Sequence, residues 1–274
     1  EEKITVVILN KQINNNWLSI SNENTNVIYF NRNFLKFIVF FKSLNKFKSD
    51  YFTTHVYVSG FIGFLRKLKF IKMNNFVSRE STEVFKRYKG IKLLSYKLFY
   101  YAGYSSIDLL ICQTEAMRNQ LLLNLPFIDN NKLQVIYNSF VKPKREIVFE
   151  PLNINYKYIV SAGRLINEKG FDILITSFKK LKKSYKELKL VILGDGSERS
   201  NLESLIVSLN LEEEIILKGF VNNVYPYFKN AEACVVSSRI EGFPNVLLQM
   251  MSQNTKVIST KCAGGIENLK GIYI

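Results

Sequence analysis

The stretch that decides the fold is residues 158–193, YIVSAGRLINEKGFDILITSFKKLKKSYKELKLVIL. It opens with the apolar run Tyr158–Gly163, which ends at a glycine and is typical of a buried strand. Apolar residues then recur at helical spacing over Phe171–Leu181, and basic residues close that segment. A second apolar run, Leu188–Leu193, leads into Gly194-Asp195-Gly196. Strand, helix and strand at this spacing predict parallel strands joined by a crossover helix.

The same alternation continues to the end of the chain. We predict helices over Glu198–Leu209 and Asn245–Met251, and strands over Glu214–Leu217, Ala233–Val236 and Lys256–Ser259. Parallel sheets of this kind carry helices on both faces and bind ligands at the carboxyl ends of their strands. The second half of the chain is therefore predicted to be a Rossmann-like α/β domain.

The first half shows a less regular version of this pattern. A boundary is expected in Asn138–Asn155, which holds two prolines and mixed charge, so we predict two domains over 1–145 and 146–274. The predicted strands of the first half are Ile4–Leu9, Val27–Phe30, Tyr51–Val58, Asn75–Val77, Leu109–Cys112 and Leu133–Ile136. Its predicted helices are Phe34–Phe47, Phe61–Ile71, Ile91–Tyr101 and Glu115–Leu123.

Residues 237–249, SSRIEGFPNVLLQ, predict a binding pocket. Glu241 lies in a short glycine-containing loop directly after an apolar run, and Pro244 stands where a helix can begin. Gln249 follows eight residues after the acid, about two helical turns further on. Because a helix N-terminus can hold phosphate and a carboxylate can hold sugar hydroxyls, this segment points to a nucleotide-sugar enzyme.

Charge is distributed unevenly along the chain, whose net charge is +15. Residues 1–150 hold 22 Lys and Arg against 11 Asp and Glu, whereas residues 151–274 hold 16 against 12. Such a basic half suits an anionic lipid surface or a nucleic acid, and a compositional bias toward solvated lysines explains it equally well. No nucleic-acid recognition motif accompanies the charge, so no nucleic-acid partner is expected.

The cysteines and the single histidine limit the disulfides and metal sites that the chain could form. Cys112, Cys234 and Cys262 are far apart and odd in number, which fits a reducing cytoplasm and not a disulfide framework. Cys112 and Cys234 lie in apolar runs and are predicted to be core residues. The single histidine, His55, excludes a multi-histidine metal site, and we expect neither a metal nor a cofactor. No apolar run reaches 18 residues, so no membrane span is predicted, and no signal peptide is visible at the start.

Several motifs in a fixed order resemble those of family 4 glycosyltransferases. The resemblance covers about residues 50–270 and implies retaining transfer by two facing Rossmann-like domains, the GT-B architecture. The motifs are Ile107–Met117, Val135–Asn138, Gly163-Arg164, Glu168–Phe171, Gly194-Asp195-Gly196, Gly219-Phe220-Val221, Glu241–Pro244 and Gly264-Gly265 with Glu267.

Four residues receive catalytic roles from the resemblance. Arg164 and Lys169 would neutralise the diphosphate leaving group, although a surface Arg and Lys near a glycine turn explain the same pattern. Glu241 would contact hydroxyls of the donor sugar, or it would only favour the helix dipole. His55 would lie at the sugar or acceptor side, with a satisfied core histidine as the alternative.

The remaining donor-binding residues also follow from the resemblance. Gln249 departs from the family, which usually has a second Glu there to bind the ribose; Gln keeps the hydrogen bond but loses the charge-assisted part, about 1 kcal/mol. A helix-face Gln packed at the cleft is the alternative reading. The other predicted donor-binding residues are Gly163, Arg164, Lys169, Gly194, Asp195, Gly196, Val221, Glu241, Gly242, Phe243, Pro244 and Asn245.

Two basic and aromatic segments, Phe34–Lys48 and Phe61–Lys72, have the composition of helices that lie on an anionic bilayer. Ordinary core packing on one helix face explains them too. Arg79 and Glu80 follow a predicted strand and either face the acceptor or form a surface ion pair. Compared with the family, the chain is expected to lack a first strand and the C-terminal helices.

These observations lead to one main hypothesis. The chain is predicted to move a hexose or N-acetylhexosamine from a UDP- or GDP-sugar to a lipid-linked surface polysaccharide at the inner face of the cell membrane. The alternatives are a truncated, non-catalytic relative that binds a nucleotide sugar or a partner, and a nucleotide-sugar epimerase of similar build. The single histidine argues against the epimerase.

Overall fold

A computed structural model describes residues 4–8, 25–29, 36, 39–40, 42, 49–140, 143–148, 151–253, 256–262, 266 and 272–273. Its strands are β1 Ile4–Ile8, β2 Thr25–Tyr29, β3 Tyr51–Thr53, β4 Phe76–Arg79, β5 Leu109–Cys112, β6 Leu133–Val135, β7 Tyr158–Ala162, β8 Lys189–Leu193, β9 Ile215–Gly219, β10 Ala233–Val236, β11 Val257–Ser259 and β12 Ile272–Tyr273. Its helices are α1 Val56–Lys67, α2 Val84–Arg87, α3 Gly90–Gly103, α4 Glu115–Asn124, α5 Arg145–Val148, α6 Phe171–Lys182, α7 Arg199–Ser208, α8 Tyr225–Asn230 and α9 Asn245–Met251.

The second half of the chain forms one six-stranded sheet in the order β12-β11-β10-β7-β8-β9. All paired strands in it run parallel. The chain builds outward from β7 through β8 and β9, then returns to the other side of β7 with β10. The order therefore reverses between β7 and β10, and ligands of open α/β sheets bind at such a reversal.

Each face of this sheet belongs to a separate core, because successive strand residues point to opposite sides. Ile159, Leu190 and Ile192 pack in one cluster with the buried faces of α6 and α7. Val160 and Val191 pack in the other cluster with the buried faces of α8 and α9. The predicted parallel sheet with helices on both faces is present.

The strands before residue 140 form two smaller parallel arrangements. β1 pairs with β2, and the four strands β3-β4-β5-β6 form a sheet in that order. The chain folds into two compact units, one of residues 1–78 and 98–108 and the other of residues 79–97 and 109–274. The predicted division at 145/146 stays a prediction.

One element of the first half was predicted wrongly. The run Tyr51–Val58 was expected to be a strand, but β3 ends at Thr53 and α1 begins at Val56. His55 is the N-cap residue of this helix, and its side chain makes no capping hydrogen bond. Apolar and aromatic residues suit both a strand and a buried helix, so their local pattern did not separate the two.

Helix α1 is anchored by tight packing and by polar contacts. A Cβ atom added at Gly60 or Gly63 would overlap the backbone of Phe99 or Gly103, so α1 approaches the end of α3 closely. Arg66 Nη1 lies 2.6 Å from Asp108 Oδ2. Phe61–Lys72 is therefore packed on one face, whereas its Phe64, Leu68 and Phe70 are exposed. Most of Phe34–Lys48 lies outside the described residues. Across the described ranges, no helix is long and apolar enough to cross a membrane.

Candidate active site

A cavity of about 470 Å³ opens at the carboxyl ends of β7 and β8, where the strand order reverses. It collects eleven of the thirteen residues predicted to bind the sugar donor, although these lie up to 86 positions apart, from Gly163 to Gln249. The predicted residues that line it are Gly163, Arg164, Lys169, Gly194, Asp195, Val221, Glu241, Phe243, Pro244, Asn245 and Gln249. The structure thus brings these residues together, and their roles stay predictions.

Two glycines allow close backbone approaches at the cavity and in the turn that carries Lys169. Gly194 has a φ of 128°, and a Cβ atom there would overlap the carbonyl oxygen of Gly163. Gly170 has a φ of 63°, in the left-handed region, and a Cβ atom there would overlap the carbonyl oxygen of Ser237. Only glycine allows these approaches, which bring the ends of β7, β8 and β10 together.

Lys169 and Glu241 form an ion pair inside the cavity. Lys169 Nζ lies 2.5 Å from Glu241 Oε1, and their side chains are only 18% and 17% exposed. Ser238 Oγ donates to the same carboxylate oxygen at 2.8 Å. No described residue donates to Glu241 Oε2. The carboxylate is therefore fixed on one side and can accept from a ligand hydroxyl on the other.

Arg164 supplies a second positive charge at the end of β7. Its side chain is exposed and forms no ion pair with any residue the structure describes. Hydrogen bonds from its own backbone amide and from Arg87 lower the pKa of Glu168, and the positive charge of Arg164 adds to this shift. Arg164 and Lys169 thus place two cations in one cavity, where they suit an anionic group.

A clamp around Arg239 holds the turn that carries Lys169. Arg239 donates through Nη1 and Nη2 to the two carboxylate oxygens of Asp172, at 2.8 and 2.6 Å. Arg239 Nη1 also donates to the carbonyl oxygen of Asn167. The backbone amide of Arg239 donates to the carbonyl oxygen of Glu168. Ser237 Oγ donates to the carbonyl oxygen of Lys169 at 2.9 Å. The loop of Glu241 and the turn of Lys169 are therefore tied together directly.

Acidic pH is expected to weaken this clamp. The hydrogen bond from Arg239 lowers the pKa of Asp172 below its unfolded value of about 3.9. The pair therefore stabilises the fold above about pH 4, and this contribution is lost as pH falls through the folded pKa. Because the two side chains are 34% and 46% exposed, the loss is at most about 1 kcal/mol. Urea unfolding of the wild type and Asp172→Asn at several pH values measures it.

The substituted chain is expected to show the flatter pH dependence. Equal slopes for the two proteins would contradict a stabilising role of the ionised Asp172 carboxylate. Glu168 contributes with the same sign, because its pKa is lowered too, so some dependence remains in Asp172→Asn.

The other predicted residues lie around the cavity or away from it. Gly196 lies in the turn after β8, where its backbone amide donates to the Asp195 carboxylate at 2.8 Å. Gly242 lies against the carbonyl oxygen of Ser81, 2.5 Å from where its Cβ atom would be. His55 belongs to the first compact unit; its side chain is exposed, and partial desolvation lowers its pKa. Gly264, Gly265 and Glu267 lie outside the described residues.

Several polar contacts near the site were not predicted from sequence. Asn138 Nδ2 donates to Asn245 Oδ1 at 2.5 Å, and Arg79 Nη2 donates to Asn138 Oδ1 at 2.5 Å. Of the two readings left open for Arg79 and Glu80, the surface ion pair is wrong, because Glu80 is buried. The motif Val135–Asn138 was the available signal for Asn138, but its partner lies 107 residues away.

The side chains that could ligate a metal are dispersed over the described ranges. No three His, Cys, Asp or Glu side chains there lie close enough together to hold a metal ion. All three cysteines are buried and none forms a disulfide. Burial raises the pKa of the Cys112 thiol to about 12, which favours the protonated form that binds metals poorly. That the reaction needs no metal stays a prediction.

The residues that form this site are similar in sequence to known glycosyltransferases. Residues 144–270 match the family model of Glycosyl transferases group 1. The chain is 36% identical over 188 residues to an uncharacterized glycosyltransferase of Methanocaldococcus jannaschii, covering 65% of this chain and 45% of that one. The stretch that carries the cavity is therefore similar to glycosyltransferase group 1 domains.

Another relative carries a more specific name. The chain is 34% identical over 169 residues to the Campylobacter jejuni N-acetylgalactosamine-N,N'-diacetylbacillosaminyl-diphospho-undecaprenol 4-alpha-N-acetylgalactosaminyltransferase, covering 61% of this chain and 45% of that one. The chain thus spans just under half the length of these relatives. Among solved structures, Anabaena HepE in complex with UDP and glucose has a TM-score of 0.75 and 14% identity, covering 100% of this chain and 85% of that one.

These matches show the fold and a similarity to glycosyltransferases. The predicted α/β fold class with parallel sheets is confirmed, and the structural neighbours are GT-B glycosyltransferases. The family and relative matches support a glycosyltransferase similar to family 4.

Proposed function

We propose that this chain belongs to a retaining glycosyltransferase that moves a hexose or N-acetylhexosamine from a nucleotide sugar to a lipid-linked saccharide. The observation that carries the proposal is the cavity in which Arg164, Lys169 and Glu241 meet at the reversal of strand order. A UDP-sugar is the favoured donor, because HepE was solved with UDP.

Arg164 and Lys169 are proposed to stabilise the diphosphate that leaves the donor sugar. As the bond between sugar and diphosphate breaks, negative charge grows on the phosphate oxygens, and preorganised cations lower the energy of that state. An ammonium carries three donors, so Lys169 can keep its contact with Glu241 and still donate to a phosphate oxygen. Arg164, exposed beside it, supplies the other charge.

The sugar and the nucleoside use other parts of the cavity. Glu241 Oε1 is already held by Lys169 and Ser238, so Oε2 is the atom proposed to accept from sugar hydroxyls. Gln249 lines the same cavity and is proposed to bind the ribose through its amide. Phe220, 77% exposed at the cavity wall, and Val221 are proposed to contact the base.

The acceptor follows from a relative rather than from the cavity. The Campylobacter jejuni relative is named for transfer to a saccharide on diphospho-undecaprenol. A lipid-linked surface-polysaccharide precursor is therefore proposed as the acceptor, with the protein acting as a peripheral protein at the inner face of the cell membrane. The net charge of +15 favours an anionic surface there.

Ligand binding and transfer together test this function. Thermal unfolding of the 274-residue chain is measured with UDP, GDP, ADP and their common sugars, because a ligand that binds only the folded state stabilises it. A rise with one base names the donor. Transfer from that donor to an undecaprenyl-diphosphate-linked saccharide is then followed by mass spectrometry, and NMR of the product assigns the anomer.

Each outcome has a defined meaning. Stabilisation with transfer and a retained anomer supports the proposal in full. Stabilisation without transfer to any lipid-linked saccharide supports the alternative of a non-catalytic binding protein. No response to any nucleotide sugar, in a chain that melts cooperatively, would refute the proposed donor site.

A further inference from the structure

A chain of side-chain hydrogen bonds reaches the cavity from outside it. Arg79 is the last residue of β4, and its Nη2 donates to Oδ1 of Asn138, which follows β6. Asn138 Nδ2 donates in turn to Oδ1 of Asn245, the first residue of α9. Of these three residues, which we call the Arg79 relay, Asn245 lines the cavity and the other two do not. All three belong to the same compact unit of the chain.

Two further contacts hold the segment after β4 against the loops of the cavity. Gly242 lies in the loop that precedes α9, and a Cβ atom there would be 2.5 Å from the carbonyl oxygen of Ser81 and 2.9 Å from Gln113 Oε1. Arg87 donates to the carboxylate of Glu168, in the turn after β7. The Arg79 relay therefore crosses a region where the two segments are already packed together.

The guanidinium fixes the direction of the relay, because it donates hydrogen bonds and accepts none. Asn138 must turn its oxygen to Arg79 and its NH2 group to Asn245. Asn245 must then turn its own oxygen to Asn138, which leaves its NH2 group on the other side of the amide. Asn245 is exposed, and this NH2 group makes no hydrogen bond with any residue that the structure describes. Two N–H donors are thus available at the cavity wall.

We propose that Asn245 donates to an oxygen of the sugar donor that can only accept hydrogen bonds, and that Arg79 and Asn138 position its amide for this. Apart from the base, strong acceptors of this kind are the diphosphate oxygens and, in an N-acetylated sugar, the acetamido carbonyl. The diphosphate is the favoured partner, because Arg164 and Lys169 line the same cavity. The inference rests on the proposed donor site and adds two positioning residues outside the cavity to it.

The sharpest test changes a residue that does not line the cavity. In Asn138→Asp, one carboxylate oxygen still accepts from Arg79, and the contact becomes an ion pair. The other oxygen also only accepts, so Asn245 must turn its NH2 group toward it and its oxygen toward the cavity. Affinity for UDP is expected to fall at least about tenfold, the loss of one hydrogen bond to a charged group. The melting temperature without ligand is not expected to fall, whereas a merely structural role of Asn138 would leave the affinity unchanged.

Isothermal titration calorimetry of the 274-residue chain with UDP, UDP-glucose and UDP-N-acetylglucosamine measures these losses. Asn245→Asp keeps the oxygen that accepts from Asn138 but loses the NH2 group, and is expected to lose at least about tenfold as well. Arg79→Met leaves the amide of Asn138 free to turn and is expected to lose about threefold to tenfold, most of which Arg79→Lys recovers because an ammonium still donates. The matched control is Asn119→Asp, an exposed residue of α4 outside the cavity, which is expected to bind like the wild type.

A double-variant cycle separates turning of the amide from repulsion by the new carboxylate. With Asn245→Ala no amide remains to be turned, so adding Asn138→Asp is expected to change the affinity by no more than about twofold. Equal losses from Asn138→Asp in both backgrounds would overturn the relay, and so would an Asn138→Asp chain that binds UDP like the wild type.

The three ligands identify the oxygen that Asn245 meets. Equal losses for all of them assign the amide to the diphosphate, and a loss confined to UDP-N-acetylglucosamine assigns it to the acetamido carbonyl. A wild type that binds none of the three overturns both this inference and the proposed UDP-sugar site. Wild-type binding that the variants leave unchanged overturns the inference alone.

Discussion

Replacing Lys169 with alanine is expected to lower kcat/KM for sugar transfer by about a hundredfold to a thousandfold, the cost of removing one preorganised group that stabilises developing charge. The substitution removes the ammonium proposed to meet the diphosphate. It also leaves Glu241, 17% exposed, without its ion-pair partner. An uncompensated carboxylate beside the phosphate site repels the sugar donor, so donor affinity falls as well.

Two comparisons make this measurement specific. Lys179→Ala removes an exposed lysine from the same region, on α6, and is expected to leave steady-state kinetics nearly unchanged. Glu241→Ala alone is expected to be as damaging as Lys169→Ala, and the double variant hardly worse than either, because the two side chains act as a unit. A Lys169→Ala chain that keeps wild-type kcat/KM would contradict the role of Lys169.

Replacing Ile175 with alanine is expected to lower the free energy of unfolding by about 2–5 kcal/mol. Its side chain is 0% exposed in the core cluster between α6 and the sheet. Removing three carbons there leaves a cavity that the surrounding side chains fill only in part. Urea unfolding followed by circular dichroism measures the loss.

Helix α6 provides its own control for this prediction. Ile173 lies two residues earlier and is 45% exposed, so Ile173→Ala changes the same chemistry on the solvent side. Both substitutions gain the same helix propensity, and the difference between them isolates burial. Ile173→Ala is expected to change stability by about 0.5 kcal/mol or less. Equal losses for the two variants would show that the assigned face of α6 is wrong.

The second half of the chain could be predicted closely from its sequence. The strand Ala233–Val236 and the helix Asn245–Met251 have the predicted bounds, and most neighbouring elements differ by one or two residues. Here strands are continuous apolar runs and glycines mark their ends, so local pattern and tertiary structure agree. The residues that line the cavity could be predicted for the same reason, because their motifs stand at the ends of these strands.

The first half was less predictable because long-range contacts decide its structure. Val56 starts a helix whose closest packing is at Gly60 and Gly63, against residues about forty positions later. No pattern within Tyr51–Val58 reports that contact. Likewise, only the fold shows that Tyr96 and Tyr100 of α3 are buried whereas its Leu94 and Leu98 are exposed.

The site itself was predicted as a set of residues but not as a network. Lys169 and Glu241 were assigned to different parts of a sugar donor, and the structure pairs them directly across 72 positions. The clamp of Arg239 on Asp172 joins residues 67 positions apart and carried no motif. Sequence order indicates which residues meet at a sheet edge, whereas their mutual hydrogen bonds depend on side-chain geometry.

The Lys169–Glu241 pair also gives the cavity a way to reject abundant small anions. Orthophosphate could accept a hydrogen bond from the Lys169 ammonium, but it would lie beside the Glu241 carboxylate, whose negative charge repels it and which gains no hydroxyl partner. A neutral sugar would leave the pair intact but could not use the cation. A nucleotide sugar satisfies both members at once. Selectivity over inorganic phosphate would then arise from the pair itself, without a steric barrier at the entrance.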